Sequence, residues 1–146
     1  MMLRANCTAV AIGGRAILIE GPSGSGKSSL ALALIDRGAM LVGDDGVALR
    51  IADGRLLAGP PPATRGKIEI RNVGIAQMEC MSAPIALLIR LADNAPRFIE
   101  GPEWTEIETV ALPTVSLFPQ ASALPLRAEW ALRLHGLDLS PGGALV

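Results

Sequence analysis

The chain contains no tyrosine, only two phenylalanines and two tryptophans, and a single histidine in 146 residues. Bases have no stacking platform on such a surface. The 13 basic and 14 acidic residues are interspersed, so the net charge is −1 and no basic stripe forms. Nucleic acid is therefore not expected as a partner. One histidine excludes most histidine-based catalysis, and His135 lies at the end of a predicted helix, where a cation is favoured by the backbone dipole. Cys7 and Cys80 stand alone, with neither CxxC nor metal spacing, and read as two buried thiols of a cytosolic protein. Long apolar runs are also missing. The longest uncharged stretch, Thr109 to Leu126, is broken by Pro113, Pro119 and Pro125, so no membrane span is expected. The N-terminus, Met-Met-Leu-Arg-Ala-Asn-Cys, lacks the apolar run of a signal peptide. A cytoplasmic location follows as the expectation. No internal repeat or domain boundary is visible. The length fits one domain spanning residues 1–146, with a loosely held tail from about residue 138.

What the chain does have is a complete phosphate-binding loop, Gly21-Pro22-Ser23-Gly24-Ser25-Gly26-Lys27-Ser28. Glycines let successive backbone N–H groups turn inward around phosphate oxygens. Lys27 can reach the β/γ-phosphates, and the Ser28 hydroxyl can ligate Mg²⁺. Arg15–Glu20 before the loop reads as a strand. Ser28–Arg37 after it reads as a helix closed by Gly38, whose positive end points at the same anion. Strand, loop and helix together are the setting this motif needs.

The remaining pattern is that of an α/β domain with few helices. Cys7–Ile12 and Arg15–Glu20 flank Gly13-Gly14, which suggests a hairpin. Ala39–Gly43 reads as a buried strand, and Val47–Ile51 and Arg55–Ala58 flank the hairpin signal Asp53-Gly54. Ile68–Arg71 alternates as a half-exposed strand, Pro84–Leu91 reads as a central strand, and residues 92–106 read as loop. Ile107–Leu112 and Thr114–Phe118 read as two short extended segments. Pro125–His135 reads as a helix that buries Leu126, Trp130, Leu134 and Leu137, with Trp130 in the core rather than stacked on a substrate.

A second chemical signal is Asp44-Asp45. A short crossover after the loop helix would bring the preceding strand back parallel to Arg15–Glu20 as its neighbour, with Asp44 at the carboxyl end of the sheet. There one carboxylate could act as base on an incoming hydroxyl and the other hold a metal or its water. A solvated Asp-Asp-Gly turn is the competing explanation. Glu69, with Lys67 and Arg71 on the same strand face, reads either as an outer metal ligand or anion site, or as an exposed face of paired charges.

Four segments in this order and spacing resemble the catalytic domain of HPr kinase/phosphorylase, in the short form found in alphaproteobacteria. They are Gly21–Ser28, Ala31–Gly38, Leu41-Val-Gly-Asp-Asp45 and Ile68-Glu-Ile-Arg-Asn-Val-Gly-Ile75. The similarity runs from about residue 7 to residue 135. It implies a P-loop (Walker A) domain with a mixed central sheet, related to the phosphoenolpyruvate carboxykinase-like fold. It also implies a cytoplasmic enzyme that uses ATP and Mg²⁺ to phosphorylate a serine of the phosphocarrier HPr. The same enzyme would remove that phosphate with inorganic phosphate, giving pyrophosphate. The family tends to form hexamers. Carried onto this chain, the resemblance makes Asp44 the base and acid, with Asp45 beside it, and places Glu69 with Ser28 at Mg²⁺. Lys27 and Arg71 complete the catalytic set, and Arg127 corresponds to the remnant of a second basic segment. Asn6-Cys7 stands where the family has a histidine, Ser29 where an acidic residue is common, and Asn72 where the signature has glycine. The alternatives are a small-molecule P-loop kinase and a non-catalytic nucleotide-binding regulatory module.

Overall fold

A computed structural model describes residues 1–139 of the chain. The tail expected to be loosely held lies mostly outside them. The strands are β1 (Met2–Ala5), β2 (Thr8–Ile12), β3 (Arg15–Glu20), β4 (Met40–Gly43), β5 (Gly46–Ala52), β6 (Arg55–Gly59), β7 (Lys67–Ile70), β8 (Gly74–Gln77), β9 (Ala83–Leu91), β10 (Glu103–Ile107) and β11 (Val110–Leu117). The helices are α1 (Lys27–Asp36) and α2 (Leu124–His135).

The large sheet runs β1-β5-β6-β9-β3-β2-β4, with the β10–β11 hairpin attached through β11 to β9. It is mixed. β3, β9 and β11 are mutually parallel, whereas β2 is antiparallel to both β3 and β4. One edge of β9 is shared, its start pairing with β6 and its end with β11. β7 and β8 form a separate antiparallel ribbon.

β3 and β9 are continuous apolar runs because both of their faces are covered. Ile17, Ile19, Leu87 and Ile89 pack under α1 and α2 against Leu30, Leu34, Ala128 and Leu132. Ala16, Leu18 and Leu88 face the other way, into a second core closed by Val47, Leu49, Leu56 and Leu112. Each fully buried leucine or isoleucine here contributes about 1.5–3 kcal/mol through surface removed from water.

Both hairpin signals are realised. Gly13 and Gly14 have φ of 58° and 84°, and Asp53 and Gly54 have φ of 54° and 74°. The crossover is corrected. β4 runs parallel to β3, but β2 lies between them, because the Gly13-Gly14 hairpin has already filled that edge of β3. The expected loop over residues 92–106 is corrected at its end, where residues 103–106 belong to β10. Its partner β11 runs unbroken through Pro113. That proline is tolerated because pairing with β9 begins only at Thr114. Cys7 is buried as expected, but Cys80 is only half-buried.

The buried face of α2 is also corrected. Leu126, Trp130 and Leu134 are 45%, 51% and 68% exposed, whereas Leu124, Ala128, Ala131 and Leu132 are buried. The alanines let the helix approach the sheet and α1 closely. Trp130 lies outside the core, with the Arg133 guanidinium 4.4 Å from its ring centre.

Candidate active site

The phosphate loop leaves β3 at Glu20 and enters α1 at Lys27. Its turn is closed by the Ser25 N–H donating to the Pro22 carbonyl at 3.0 Å. Gly26, at φ 101°, occupies the N-cap position, which a residue with a side chain would hold only under strain. No side chain caps α1, so its leading N–H groups stay available at the positive end of the helix. The Lys27 ammonium bends back over the loop and donates to the carbonyls of Gly21 (2.7 Å) and Pro22 (3.2 Å). These features fit a polyphosphate: free backbone donors, a cation held against the loop, and Gly24 and Gly26, which leave room beside the backbone.

β4 delivers Asp44 to the same edge. The turn after β4 is tight. A Cβ on Gly43 would run into the Gly46 carbonyl oxygen, and Asp45 takes a left-handed φ of 57°. The Asp45 carbonyl accepts the Asn6 N–H at 3.2 Å. Three donors fix the Asp44 carboxylate. Oδ1 accepts from the Ser28 hydroxyl at 2.6 Å and the Thr8 hydroxyl at 3.0 Å, and Oδ2 accepts from the Glu69 backbone N–H at 3.1 Å. Asp45 is exposed, and its carboxylate makes no hydrogen bond to the described residues.

A cavity of about 330 Å³ unites these groups. It is lined by Ser23, Gly24, Gly26, Lys27, Ser28 and Ser29 from the loop and helix. Thr8, Asp44, Asp45, Glu69, Arg71 and Asn72 complete it. The sequence-predicted residues Lys27, Ser28, Asp44, Asp45, Glu69 and Arg71 thus come together. Arg71 stands just beyond β7, in a turn closed by the Val73 N–H donating to the Ile70 carbonyl at 2.9 Å. Asn72 supplies the left-handed φ of 68° that this turn needs, so its backbone survives the change from glycine. Lys67 and Arg127 do not line the cavity, and Ser25 is tucked beneath the loop with its hydroxyl buried and unpartnered.

Two contributors escaped the sequence reading. Thr8 is 1% exposed and holds Asp44. The Glu69 backbone, rather than its side chain alone, positions Asp44. Thr8 had a signal. The hairpin register sets Thr8 opposite Ile19, at the loop end of the sheet, and a buried hydroxyl there needs a partner.

Behind the site, Arg4 Nε donates to Glu20 at 2.6 Å, which holds the Arg4 guanidinium above its ordinary range. Burial, aided by the Glu20 charge, pushes the Cys7 thiol up to about 12, and the thiol donates to the Arg4 carbonyl at 3.3 Å. Cys7 therefore stays a neutral packing group. No group of three or more His, Cys, Asp or Glu side chains forms a ready metal cage among the described residues. The Ser28 hydroxyl and the Glu69 carboxylate are oxygen donors of the kind Mg²⁺ accepts beside phosphate oxygens and water. No helix among the described residues is long and apolar enough to cross a membrane.

Residues 3–83, which carry every group named above at the cavity, match the family model of the HPr serine kinase C-terminal domain. An HPr kinase/phosphorylase from Clostridium botulinum (strain Eklund 17B / Type B) is 48% identical over 66 residues, covering 45% of this chain and 22% of the relative. One from Clostridium tetani is 48% identical over 62 residues, covering 42% and 20%. The chain thus spans about a fifth of the length of these relatives. The solved HPr(Ser) kinase/phosphatase from Coxiella burnetii superposes with a TM-score of 0.80 at 27% identity, covering 91% of this chain and 95% of that one.

Proposed function

This chain belongs to the family of HPr serine kinase C-terminal domains, and from that premise we propose that it transfers the γ-phosphoryl group of ATP to a serine of HPr and reverses the modification by phosphorolysis. The observation that carries the reading is the Asp44 carboxylate, held by Ser28, Thr8 and the Glu69 backbone beside an uncapped phosphate-loop helix. In the forward direction the β- and γ-phosphates lie in the backbone cradle of Gly21–Ser28. Lys27 exchanges its carbonyl partners for phosphate oxygens. The HPr serine oxygen attacks the γ-phosphorus, its proton passes to an Asp44 carboxylate oxygen, and ADP leaves. In reverse, an oxygen of inorganic phosphate attacks the phosphorus of phosphoserine. The serine O–P bond breaks, protonated Asp44 returns its proton to the serine oxygen, and pyrophosphate is the product. One carboxylate serves both directions because the two reactions meet the same serine oxygen.

Arg71 adds positive charge to the cavity lining, suited to the negative charge the transferring phosphoryl group accumulates. Asp45 supports Asp44 from the next position. Ser28 and Glu69 would hold Mg²⁺, which supplies charge neutralisation of the phosphate oxygens when bound. A cytoplasmic setting and a homo-oligomer belong to the same proposal, as does a single catalytic domain over residues 1–146.

The test is direct. Purified chain should phosphorylate HPr on serine with ATP and Mg²⁺, and should release pyrophosphate from phosphoserine-HPr and inorganic phosphate. ATP binding without either reaction would favour a regulatory module. Phosphorylation of small hydroxyl compounds but not of HPr would favour a small-molecule kinase.

A further inference from the structure

The carboxyl edge of the sheet carries a second concavity beside the phosphate loop. β9 and β11 run parallel to β3 and end at this same edge. Gly21 lies against Leu91, and the Ala92 N–H donates to the Leu117 carbonyl at 3.0 Å. Beyond those strand ends the chain encloses a cleft of about 450 Å³, lined in part by Pro96, Arg97, Ile99, Phe118 and Arg127. Two strand spacings, about 10 Å, separate β11 from the strand that carries the loop. None of the residues assigned to phosphoryl transfer lines this cleft.

Its chemistry complements that of the first cavity. The 330 Å³ cavity is lined only by glycine and by hydroxyl, amide and charged residues, so it offers a heterocyclic base no apolar or aromatic side chain. The second cleft supplies that surface through Phe118, Pro96 and Ile99. Phe118, which lines the cleft, is 40% exposed, so its ring is open to a ligand. Arg97 and Arg127 are exposed and pair with no carboxylate among the described residues. Arg127 stands in the first turn of α2, whose N-terminus opens at this edge without a side-chain cap. Planar guanidinium groups stack on bases and also attract phosphate.

Strand order gives the direction. Asp44 directly follows β4, which lies on the β2 side of β3, while the cleft lies on the β9 side. A nucleotide whose γ-phosphate meets Asp44 leads its α-phosphate and nucleoside away from β4, across β3, toward β9 and β11. We propose that the cleft between residues 95–99, Phe118 and Arg127 is the nucleoside subsite of this active site, with the base against Phe118 and the arginines at the base and α-phosphate. The proposal rests on the reading of the loop as an ATP site.

The test compares ATP with inorganic tripolyphosphate by calorimetry on the whole chain. Both ligands fill the loop, but only ATP fills the cleft. Phe118→Ala should weaken ATP about tenfold, the loss of one stacking contact, and leave tripolyphosphate unchanged. Phe118→Tyr should retain ATP affinity. Arg97→Ala combined with Arg127→Ala should weaken ATP more than tripolyphosphate. Equal affinity of the wild type for the two ligands would overturn the proposal, as would unchanged ATP binding in Phe118→Ala or equal losses for both ligands. Lys27→Ala separates the two readings, because it should weaken both ligands together. If it weakens neither, the loop assignment fails, and the subsite assignment falls with it.

Discussion

At the scale of single residues, the site rests on short polar contacts that sequence reasoning could place only in part. Lys27, Ser28 and Asp44 were legible because each belongs to a pattern with fixed chemistry. Thr8 was not read, because a threonine at the start of a small apolar strand looks like any β-branched strand residue. Its role depends on the hairpin register that sets it opposite Ile19. Trp130 was misread for the opposite reason. Helical spacing alone cannot choose between two apolar stripes, and the alanine-bearing stripe won because it permits closer packing. Cys7 yields a prediction at this scale. Its thiol ionises near 9.0 in the unfolded chain but is pushed to about 12 in the fold by burial. Above pH 9.0 the unfolded chain loses this proton while the folded one keeps it, so stability falls as pH rises toward 12. The slope approaches about 1.4 kcal/mol per pH unit from this one group. Urea denaturation of the wild type and of Cys7→Ala from pH 8 to about pH 11 should show a steeper decline in the wild type. Parallel profiles would contradict the buried-thiol assignment.

At the scale of elements, turn chemistry was the most legible feature. Gly-Gly and Asp-Gly between apolar runs marked both hairpins, and Gly38, at φ 112°, follows the loop helix as its left-handed C′ residue. Strand neighbours were less legible. The expected adjacency of β4 to β3 fails because pairing is a competition for edges, and a local hairpin closes before a crossover of any length. The β10–β11 hairpin was hidden by Glu108 and Thr109, which turn at φ 49° and 72° without the usual glycine. The turn between β4 and β5 carries its own prediction. Gly43→Ala places a methyl group against the Gly46 carbonyl, so the turn must open and shift Asp44 from Thr8 and Ser28. A cost of about 1–3 kcal/mol is expected, seen as a lower melting temperature together with reduced phosphoryl transfer. An unchanged melting temperature would mean that the turn has slack the close approach does not suggest.

At the scale of the whole molecule, the architecture gathers distant residues at one edge. The loop comes from the end of β3, Asp44 from the end of β4, Thr8 from the start of β2, and Glu69 and Arg71 from the separate β7–β8 ribbon. Thr8 apart, these residues were expected together from the resemblance of four short segments, and the family match and the structural likeness support the same fold. The central claim is that one carboxylate moves the proton in both directions. Asp44→Asn removes the proton acceptor while keeping side-chain size, and it turns one acceptor facing Ser28, Thr8 and the Glu69 N–H into a donor. Folding should therefore be verified on the same preparation by circular dichroism and by ATP binding, which is expected to change little. Asp45→Asn is the companion control and should cost less. The decisive measurement is the rate of HPr phosphorylation and the rate of phosphoserine-HPr phosphorolysis for Asp44→Asn against wild type. Both should fall by about 10²–10⁴-fold. Near-wild-type turnover in either direction, in a folded variant that binds ATP, would contradict the single-carboxylate account.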